Sequence, residues 1–194
     1  MTTVVVVKKS GHVAMAADTL VTFGDTRLSH RYEPNSKIFK VAAVGGPSFI
    51  GMAGTVAHFP VLRKAMLALP KGELKLGSKD EVFDTFTKLH PLLKESFFLQ
   101  TKEEDNDPYE SSQFSVVVAN ASGIYGLYSY REVFEFNEFW AIGSGRNFAL
   151  GAMHATWART PSAREQALIG VNAGCEFDRN SAGPVQSFAL KLKN

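Results

Sequence analysis

The sequence predicts an α+β fold in which two β-sheets pack against each other and helices cover their outer faces. The first observation is the order of elements along the chain: strands, two helices, strands, two helices and a last strand. Strands that do not alternate singly with helices argue against a doubly wound parallel sheet. The second is a run of four valines at 4–7, which predicts a strand buried on both faces. The length of 194 residues fits one domain over residues 1–194.

The chain begins with a predicted hairpin. Residues 3–8 form its first strand, Ser10 and Gly11 supply the turn, and residues 12–17 form the second strand. Residues 25–36 are polar and end in the loop sequence Glu-Pro-Asn-Ser. Two more strands are expected at residues 37–44 and 48–52.

Two helices are predicted after these strands. The first starts near Thr55, and Pro60 is expected to kink it. The second opens with a capping box from Ser78 to Glu81, carries an apolar stripe that includes Phe83, and is expected to be interrupted at Pro91. The acidic stretch after this helix, residues 101–112, is predicted to be a solvated loop.

The carboxyl-terminal half repeats the pattern of strands followed by helices. The strands are expected at residues 114–120, 124–129 and 139–142. Helices follow at residues 147–158 and after Ser162, which has capping-box spacing to Glu165. Residues 185–192 are predicted to close the chain as a strand.

Composition argues against several classes of function. A net charge of +2, from 21 basic and 19 acidic side chains, gives no reason to expect a nucleic-acid partner. The single cysteine, Cys175, rules out an internal disulfide framework and fits a reducing compartment. The five histidines show no metal-ligand spacing, and no glycine-rich phosphate loop is present, so neither metal nor cofactor is expected. The charge-free stretch 41–62 contains several Gly and Pro residues, which argues against a membrane span, and without a visible signal peptide the expected location is the cytoplasm.

The amino terminus suggests chemistry. Removal of Met1 would expose Thr2, whose α-amine could take the proton from its own side-chain oxygen. Such a residue would act as the nucleophile of an amidohydrolase. A neighbouring lysine would lower the pKa of that amine by like-charge repulsion, and a carboxylate would hold the lysine. Asp18 and Lys37 lie at predicted strand ends where they could do this, although spacing alone favours a turn residue and a surface lysine.

Two further segments could hold the amino terminus. Gly143-Ser144-Gly145 stands between a predicted strand and a predicted helix. It is not the nucleophile elbow of serine hydrolases, because Ile142 and Arg146 occupy the outer glycine positions, but the Ser144 hydroxyl could hydrogen-bond an amine. Residues 178–183 are either a plain turn or a polar anchor for the amino terminus.

These residues lie in motifs whose order resembles that of proteasome-type β-subunits of bacterial kind. The chain is similar to the HslV protease and most similar to the group called bacterial proteasome homologues. The resemblance covers nearly the whole chain and rests on five segments in order. They are Thr-Thr-Val-Val at 2–5, Gly-His-Val-Ala-Met-Ala-Ala-Asp at 11–18, Asn-Ser-Lys-Ile at 35–38, Gly-Met-Ala-Gly-Thr at 51–55 and Ala-Ile-Gly-Ser-Gly at 141–145.

The resemblance implies a four-layer α/β/β/α sandwich of the amino-terminal-nucleophile hydrolase type and a threonine protease without a cofactor. It also assigns a role to each matching residue. Thr2 would be the nucleophile, Lys37 the lysine that tunes its amine, Asp18 the carboxylate that holds Lys37, Gly54 the oxyanion donor, Ser144 the support of the amine, and Asp178 and Ser181 the pair beside it. The interval from Asp18 to Lys37 is longer than usual in the family, and an alternative register through Cys175 would put Ala173 in place of Asp178.

The resemblance further implies partners and specificity. Identical subunits would form a homo-oligomer of twelve or fourteen subunits in two stacked rings, fed with peptides or unfolded proteins, with a ring ATPase unfoldase as a possible partner. Met52, two residues before Gly54, would line the pocket for the side chain before the cut bond and favour Leu, Phe or Tyr over Arg or Asp. Two alternatives remain at this point: a catalytically silent ring-forming scaffold subunit, and an amidase of the same nucleophile class that acts on a small molecule.

Overall fold

The computed structural model describes residues 2–102 and 107–193. Met1, whose removal the sequence analysis expects, lies outside the described residues. So do Glu103, Glu104 and Asp105 of the predicted acidic loop. Within the described residues the order of strands and helices is the predicted one, with four helices.

Strands and helices are numbered separately in chain order. The strands are β1 (Val4–Lys9), β2 (His12–Ala17), β3 (Val21–Phe23), β4 (Thr26–Leu28), β5 (Ile38–Ala43), β6 (Gly46–Ala53), β7 (Ser115–Asn120), β8 (Gly123–Leu127), β9 (Val133–Phe136), β10 (Phe139–Ile142) and β11 (Gln186–Lys191). The helices are α1 (His58–Ala68), α2 (Lys79–Phe97), α3 (Arg146–Thr156) and α4 (Ala163–Phe177).

Two antiparallel sheets form the two inner layers. One has the strand order β10-β1-β2-β11 and the other the order β5-β6-β7-β8-β9. One hydrophobic cluster lies between the two sheets, a second joins the five-stranded sheet to α1 and α2, and a third joins the four-stranded sheet to α3 and α4. The predicted four-layer α/β/β/α sandwich is therefore confirmed.

The valine run explains how the amino terminus is fixed between layers. Val4 and Val6 point into the cluster between the sheets, whereas Val5 and Val7 point toward α3 and α4, and all four are fully buried. Burial of each valine stabilises the fold by about 1.5–3 kcal/mol. Opposite Val4 the second sheet carries Gly51, where a Cβ atom would stand 2.6 Å from Val4 Cγ1. The sheets can approach this closely because that position has no side chain.

Several local expectations were wrong. The predicted polar loop contains the strand β4, which pairs with β3 just before the loop, and neither this hairpin nor the edge strand β9 was predicted. Pro60 is the third residue of α1, where its missing N–H has no intrahelical acceptor to lose. Pro91 lies inside α2 without ending it, because the flanking Leu89 and Leu93 are buried against the sheet and hold the helix there. Phe83, predicted in the buried stripe, is 46% exposed.

At both predicted capping boxes the serine half of the motif is present. The Ser78 hydroxyl accepts a hydrogen bond from Glu81 N at 3.2 Å, and the Ser162 hydroxyl accepts one from Glu165 N at the same distance. Each bond satisfies one of the N–H groups that the first turn of a helix leaves without an intrahelical partner. In the described part of the chain, every helix is too short or too polar to cross a membrane.

Candidate active site

The topology of the four-stranded sheet brings the candidate residues to one edge. β1 is antiparallel to both β2 and β10, so its amino end lies beside the carboxyl ends of those two strands. Asp18 directly follows β2, and Ser144 follows β10 by two residues. Backbone hydrogen bonds fix the arrangement: Asp18 N donates to Thr3 O at 3.1 Å and Gly145 N donates to Thr2 O at 3.2 Å.

On one side of the chain start, Asp18 and Lys37 form a buried ion pair. Lys37 Nζ donates to both carboxylate oxygens of Asp18, at 3.0 and 2.9 Å. Asp18 Oδ1 also accepts from Thr3 N at 2.9 Å, while Oδ2 accepts from Leu20 N at 3.0 Å and Ala182 N at 3.3 Å. Asp18 is 0% and Lys37 3% exposed. A carboxylate with this many donors holds the ammonium group in one place.

Burial acts on the protonation of Lys37. Removal from water lowers the pKa of the Lys37 ammonium below its ordinary value, and the charge of Asp18 and its hydrogen bond partly oppose that effect. Lys37 is therefore a desolvated cation with a lowered pKa, rather than a solvated surface lysine. This decides between the two readings of Asp18 and Lys37 that spacing left open.

On the side of Thr2 away from the ion pair, hydrogen bonds through the Ser144 hydroxyl connect Thr2 N to Asp178. Thr2 N donates to Ser144 Oγ at 3.1 Å, and Ser144 Oγ donates to Asp178 Oδ2 at 2.6 Å. Ser181 Oγ donates to the same oxygen at 2.7 Å and lies 2.8 Å from Thr3 Oγ1. Asp178 is the C-cap residue of α4, and it is Asp178, rather than Ala173, that makes these bonds in the structure.

Asp178 is held in its charged form. Burial raises the pKa of its carboxyl, but hydrogen bonds from Ser144, Ser181 and Asn180 outweigh burial and bring the pKa below the ordinary value. The neighbouring Cys175 behaves in the opposite way, since burial and the nearby Asp18 raise the pKa of its thiol to about 11. A thiol that stays protonated near neutral pH is less reactive than a thiolate, and no base among the described residues is hydrogen-bonded to Cys175.

The sequence analysis missed how closely glycine residues surround Thr3. A Cβ atom at Gly145 would stand 1.9 Å from Thr3 Oγ1, and one at Gly174 would stand 2.4 Å from the same atom and 2.6 Å from Thr3 Cγ2. Thr3 is fully buried. An isolated glycine inside a helical pattern, such as Gly174 in α4, is a signal of close packing that the sequence does contain.

Replacement of Gly174 by alanine should therefore destabilise the protein, although alanine is the better helix former. Crowding against the β-branched Thr3 costs about 1–3 kcal/mol and exceeds the gain in helix propensity of about 1 kcal/mol. Gly151, inside α3, is the matched control, because a Cβ atom there would meet no atom within 4 Å. Thermal unfolding should show a lower Tm for Gly174→Ala and an unchanged or higher Tm for Gly151→Ala. Equal shifts of the same sign in the two variants would contradict the packing argument.

Two open cavities lie beside this cluster and share Val21 and Val56. One has a volume of about 310 Å³ and reaches Lys37; the other, of about 470 Å³, reaches Gly54 and Asn180. Gly54 directly follows β6 and has φ +144°, a backbone conformation that side-chain-bearing residues rarely adopt. Since Asn180 donates to Asp178, the second cavity borders the Ser144 side of the cluster and the first borders the Lys37 side.

The structure corrects the expectation for Met52. Its side chain is 0% exposed and belongs to the cluster between the five-stranded sheet and helices α1 and α2. The physical reason is the alternation of β6: Gly51 faces the other sheet, so its neighbour Met52 faces the helices. Met52 lines neither cavity in this structure.

Six other predicted site residues lie around Thr2 and Thr3 or beside the adjoining cavities: Asp18, Lys37, Gly54, Ser144, Asp178 and Ser181. Among the residues that the structure describes, no three His, Cys, Asp or Glu side chains lie together as metal ligands would. The arrangement consists of a hydroxyl, hydrogen-bonded serines and one ion pair, which is chemistry suited to acyl transfer.

Comparison with solved structures places this arrangement in a family. The chain is similar to two structures of BPH, the bacterial proteasome homologue, from Thiobacillus denitrificans. The complex of that protein with epoxomicin has a TM-score of 0.89 and 36% identity, and the match covers 99% of this chain and 100% of the other. A second structure of the same protein has a TM-score of 0.88 and 38% identity, with 98% of each chain covered.

A more distant structure agrees in fold alone. Eukaryotic HslV from Trypanosoma brucei has a TM-score of 0.65 and 18% identity, with 97% of this chain and 99% of the other covered. No protein-family model and no curated protein matches the chain. Identity above one third over the full length of the Thiobacillus denitrificans protein is decisive, and the chain belongs to the bacterial proteasome homologue family of proteasome-type β-subunits, which have the amino-terminal-nucleophile hydrolase fold.

Proposed function

We propose that the protein is a threonine endopeptidase that cleaves peptide bonds through an ester on Thr2, after removal of Met1. The single observation that carries the proposal is that two polar networks meet at Thr2 and Thr3. The Asp18–Lys37 ion pair binds Thr3 N from one side, and the Ser144–Asp178 pair binds Thr2 N from the other.

The proposed reaction begins at the Thr2 hydroxyl. Its oxygen attacks the carbonyl carbon of the scissile bond while the free α-amine of Thr2 takes the hydroxyl proton. The resulting tetrahedral oxyanion accepts a hydrogen bond from Gly54 N–H. The C–N bond then breaks, the leaving amine takes the proton back, and the acyl group stays on Thr2 as an ester. A water molecule, deprotonated by the same α-amine, hydrolyses the ester and restores the hydroxyl.

The surrounding residues set the protonation state for this reaction. A free α-amine has a pKa of about 8, so at neutral pH it needs a neighbour that favours its uncharged form. The ammonium of Lys37 would do so by like-charge repulsion, and Asp18 would keep that ammonium in place. Ser144 can accept a hydrogen bond from the amine, because its own proton is donated to Asp178. Ser181 holds Asp178 in position for this bond.

The substrate is proposed to be an extended peptide or unfolded protein. The two cavities lie side by side between the β3 strand and the start of α1, so successive side chains of one peptide could occupy them. The volumes of about 310 and 470 Å³ fall in the range of sites that take one amino-acid side chain or a few.

We also propose, from membership of the family, that identical subunits assemble into a homo-oligomer of twelve or fourteen subunits arranged as two stacked rings. A ring ATPase unfoldase would supply substrate, and the assembly would work in the cytoplasm. Because a related protein of 36% identity has been solved in complex with epoxomicin, epoxomicin is a reasonable probe of the proposed site.

Two measurements on the purified full-length chain test the proposal. Intact mass should show the loss of Met1, and the same preparation should hydrolyse fluorogenic peptides with inhibition by epoxomicin. Protein that keeps Met1 completely and cleaves no peptide would instead be a catalytically silent scaffold subunit. A stable monomer that hydrolyses only small amides would favour the amidase alternative, and light scattering distinguishes it from a ring.

A further inference from the structure

The smaller of the two cavities, here called the Lys37 cavity, has apolar walls and a polar rim. Its walls are formed by Val21, Val56, Phe59 and Pro60. Its polar lining residues, here called the rim, are Glu33, Asn35, Ser36 and Lys37. A side chain bound in this cavity would therefore contact both apolar surface and polar groups.

The rim segment is held in place by hydrogen bonds. Glu33 O accepts from Asn35 N at 2.9 Å and from Asn35 Nδ2 at 3.2 Å. Ser36 Oγ donates to Gln186 Oε1 on β11 at 2.6 Å, and Gln186 Nε2 donates back to Asn35 O at 3.4 Å. The rim is thus tied to the four-stranded sheet, which fixes the backbone of the segment that carries Glu33.

The charges around the Lys37 cavity do not cancel. Lys37 is neutralised by its buried partner Asp18. Glu33 is exposed, and within the described residues its carboxylate takes part in no ion pair. The cavity therefore has one uncompensated negative charge at the rim of an apolar wall. A lysine or arginine side chain matches that pattern, since its aliphatic stem can pack on the wall while its charged end stays near the rim.

We infer that Glu33 is a specificity-determining residue and that the Lys37 cavity takes a basic side chain, Lys or Arg, from the substrate residue before the cut bond. The inference rests on the proposed peptidase function and replaces the expectation of Leu, Phe or Tyr, which depended on Met52. An acidic side chain is excluded by repulsion from Glu33, and a leucine would fill the apolar part alone.

The test separates binding from catalysis. The assembled Thr2→Ala protein is titrated with fluorescently labelled tetrapeptides that are identical except for a last residue of Arg, Lys, Leu or Glu, and polarisation gives each Kd. Because a partly solvated ion pair contributes up to about 1 kcal/mol, the Arg and Lys peptides should bind about fivefold more tightly than the Leu peptide, and the Glu peptide least tightly. This preference should weaken as salt is added.

Substitution of the rim carboxylate gives the decisive comparison. Glu33→Gln, in the Thr2→Ala background, should reduce the preference for Arg over Leu to near unity, and Glu138→Gln should preserve it. Glu138 is an exposed glutamate in the turn between β9 and β10, so it is matched in charge but lies outside both cavities. Equal or tighter binding of the Leu peptide, or an Arg preference that survives Glu33→Gln, would overturn the inference. A wild-type protein that hydrolyses no peptide while the preference persists would refute the peptidase function and support the specificity of the cavity.

Discussion

Replacement of Thr2 by alanine should abolish peptide hydrolysis while the subunits still assemble. The variant loses the hydroxyl that forms the ester, and no other group in the proposed reaction can take its place. We expect kcat/KM for a fluorogenic peptide to fall by at least about a thousandfold, since a missing nucleophile removes the whole covalent route. Steady-state hydrolysis measures the loss, and light scattering on the same sample measures assembly.

Assembly should survive because Thr2 is held through its backbone. Thr2 N donates to Ser144, and Thr2 O accepts from Gly145 N, and alanine keeps both groups. Thr2→Ser is the conservative control: it retains a hydroxyl and a small residue after Met1, so measurable activity should return. Undiminished turnover in Thr2→Ala would make Thr2 irrelevant to the chemistry. Thr3 could not easily replace it, because its nitrogen lies in a peptide bond and cannot take the proton, and its hydroxyl is already paired with the Ser181 hydroxyl.

The layers of this fold could be predicted because the pattern of apolar residues indicates which strands are buried. Four valines in succession predict a strand covered on both faces, and this strand fixes the amino terminus. Spacing could not decide whether Asp18 and Lys37 meet. Strand pairing places Asp18 beside the start of β1, but Lys37 directly precedes β5 of the other sheet, so the ion pair forms only because the two sheets pack against each other.

Other features of the site depended on contacts that no local pattern reveals. The face on which Met52 lies follows from which side of β6 is covered by the other sheet, and the sequence offers Gly51 as the only hint. The wall of the Lys37 cavity is built from segments far apart in the chain, Val21 on β3 and Val56 and Pro60 near the start of α1. The strand β3 that supplies Val21 is three residues long, which is too short for a periodic signal.

Removal of the Lys37 side chain should be the second large effect on catalysis. Lys37→Ala should lower kcat by about a hundredfold to ten-thousandfold, which is the usual range for a group that controls proton transfer. The fold should persist, because Asp18 keeps backbone hydrogen bonds from Thr3, Leu20 and Ala182 after the ammonium is gone. The measurement is kcat at saturating peptide, together with thermal unfolding to verify that the variant is folded.

The pH dependence of the residual activity distinguishes an electrostatic role from a purely structural one. The positive charge of Lys37 lowers the pKa of the neighbouring α-amine of Thr2. Without that charge the amine pKa rises toward about 8, more of the amine is protonated at neutral pH, and the acid limb of the pH–rate profile moves to higher pH. Lys37→Arg keeps the charge, so its acid limb should stay near that of the wild type. Its rate should remain low, because the larger planar guanidinium does not fit the position between Asp18 and the chain start.

Lys40 provides the matched control for this prediction. It lies on β5, three residues after Lys37, which directly precedes that strand, but its side chain is exposed, so Lys40→Ala should leave both kcat and the pH profile unchanged. Near-normal activity in Lys37→Ala with a loss in Lys40→Ala would show that the longer interval after Asp18 has moved the active lysine. A low rate in Lys37→Ala with an unshifted acid limb would instead mean that Lys37 positions the chain start without tuning its amine.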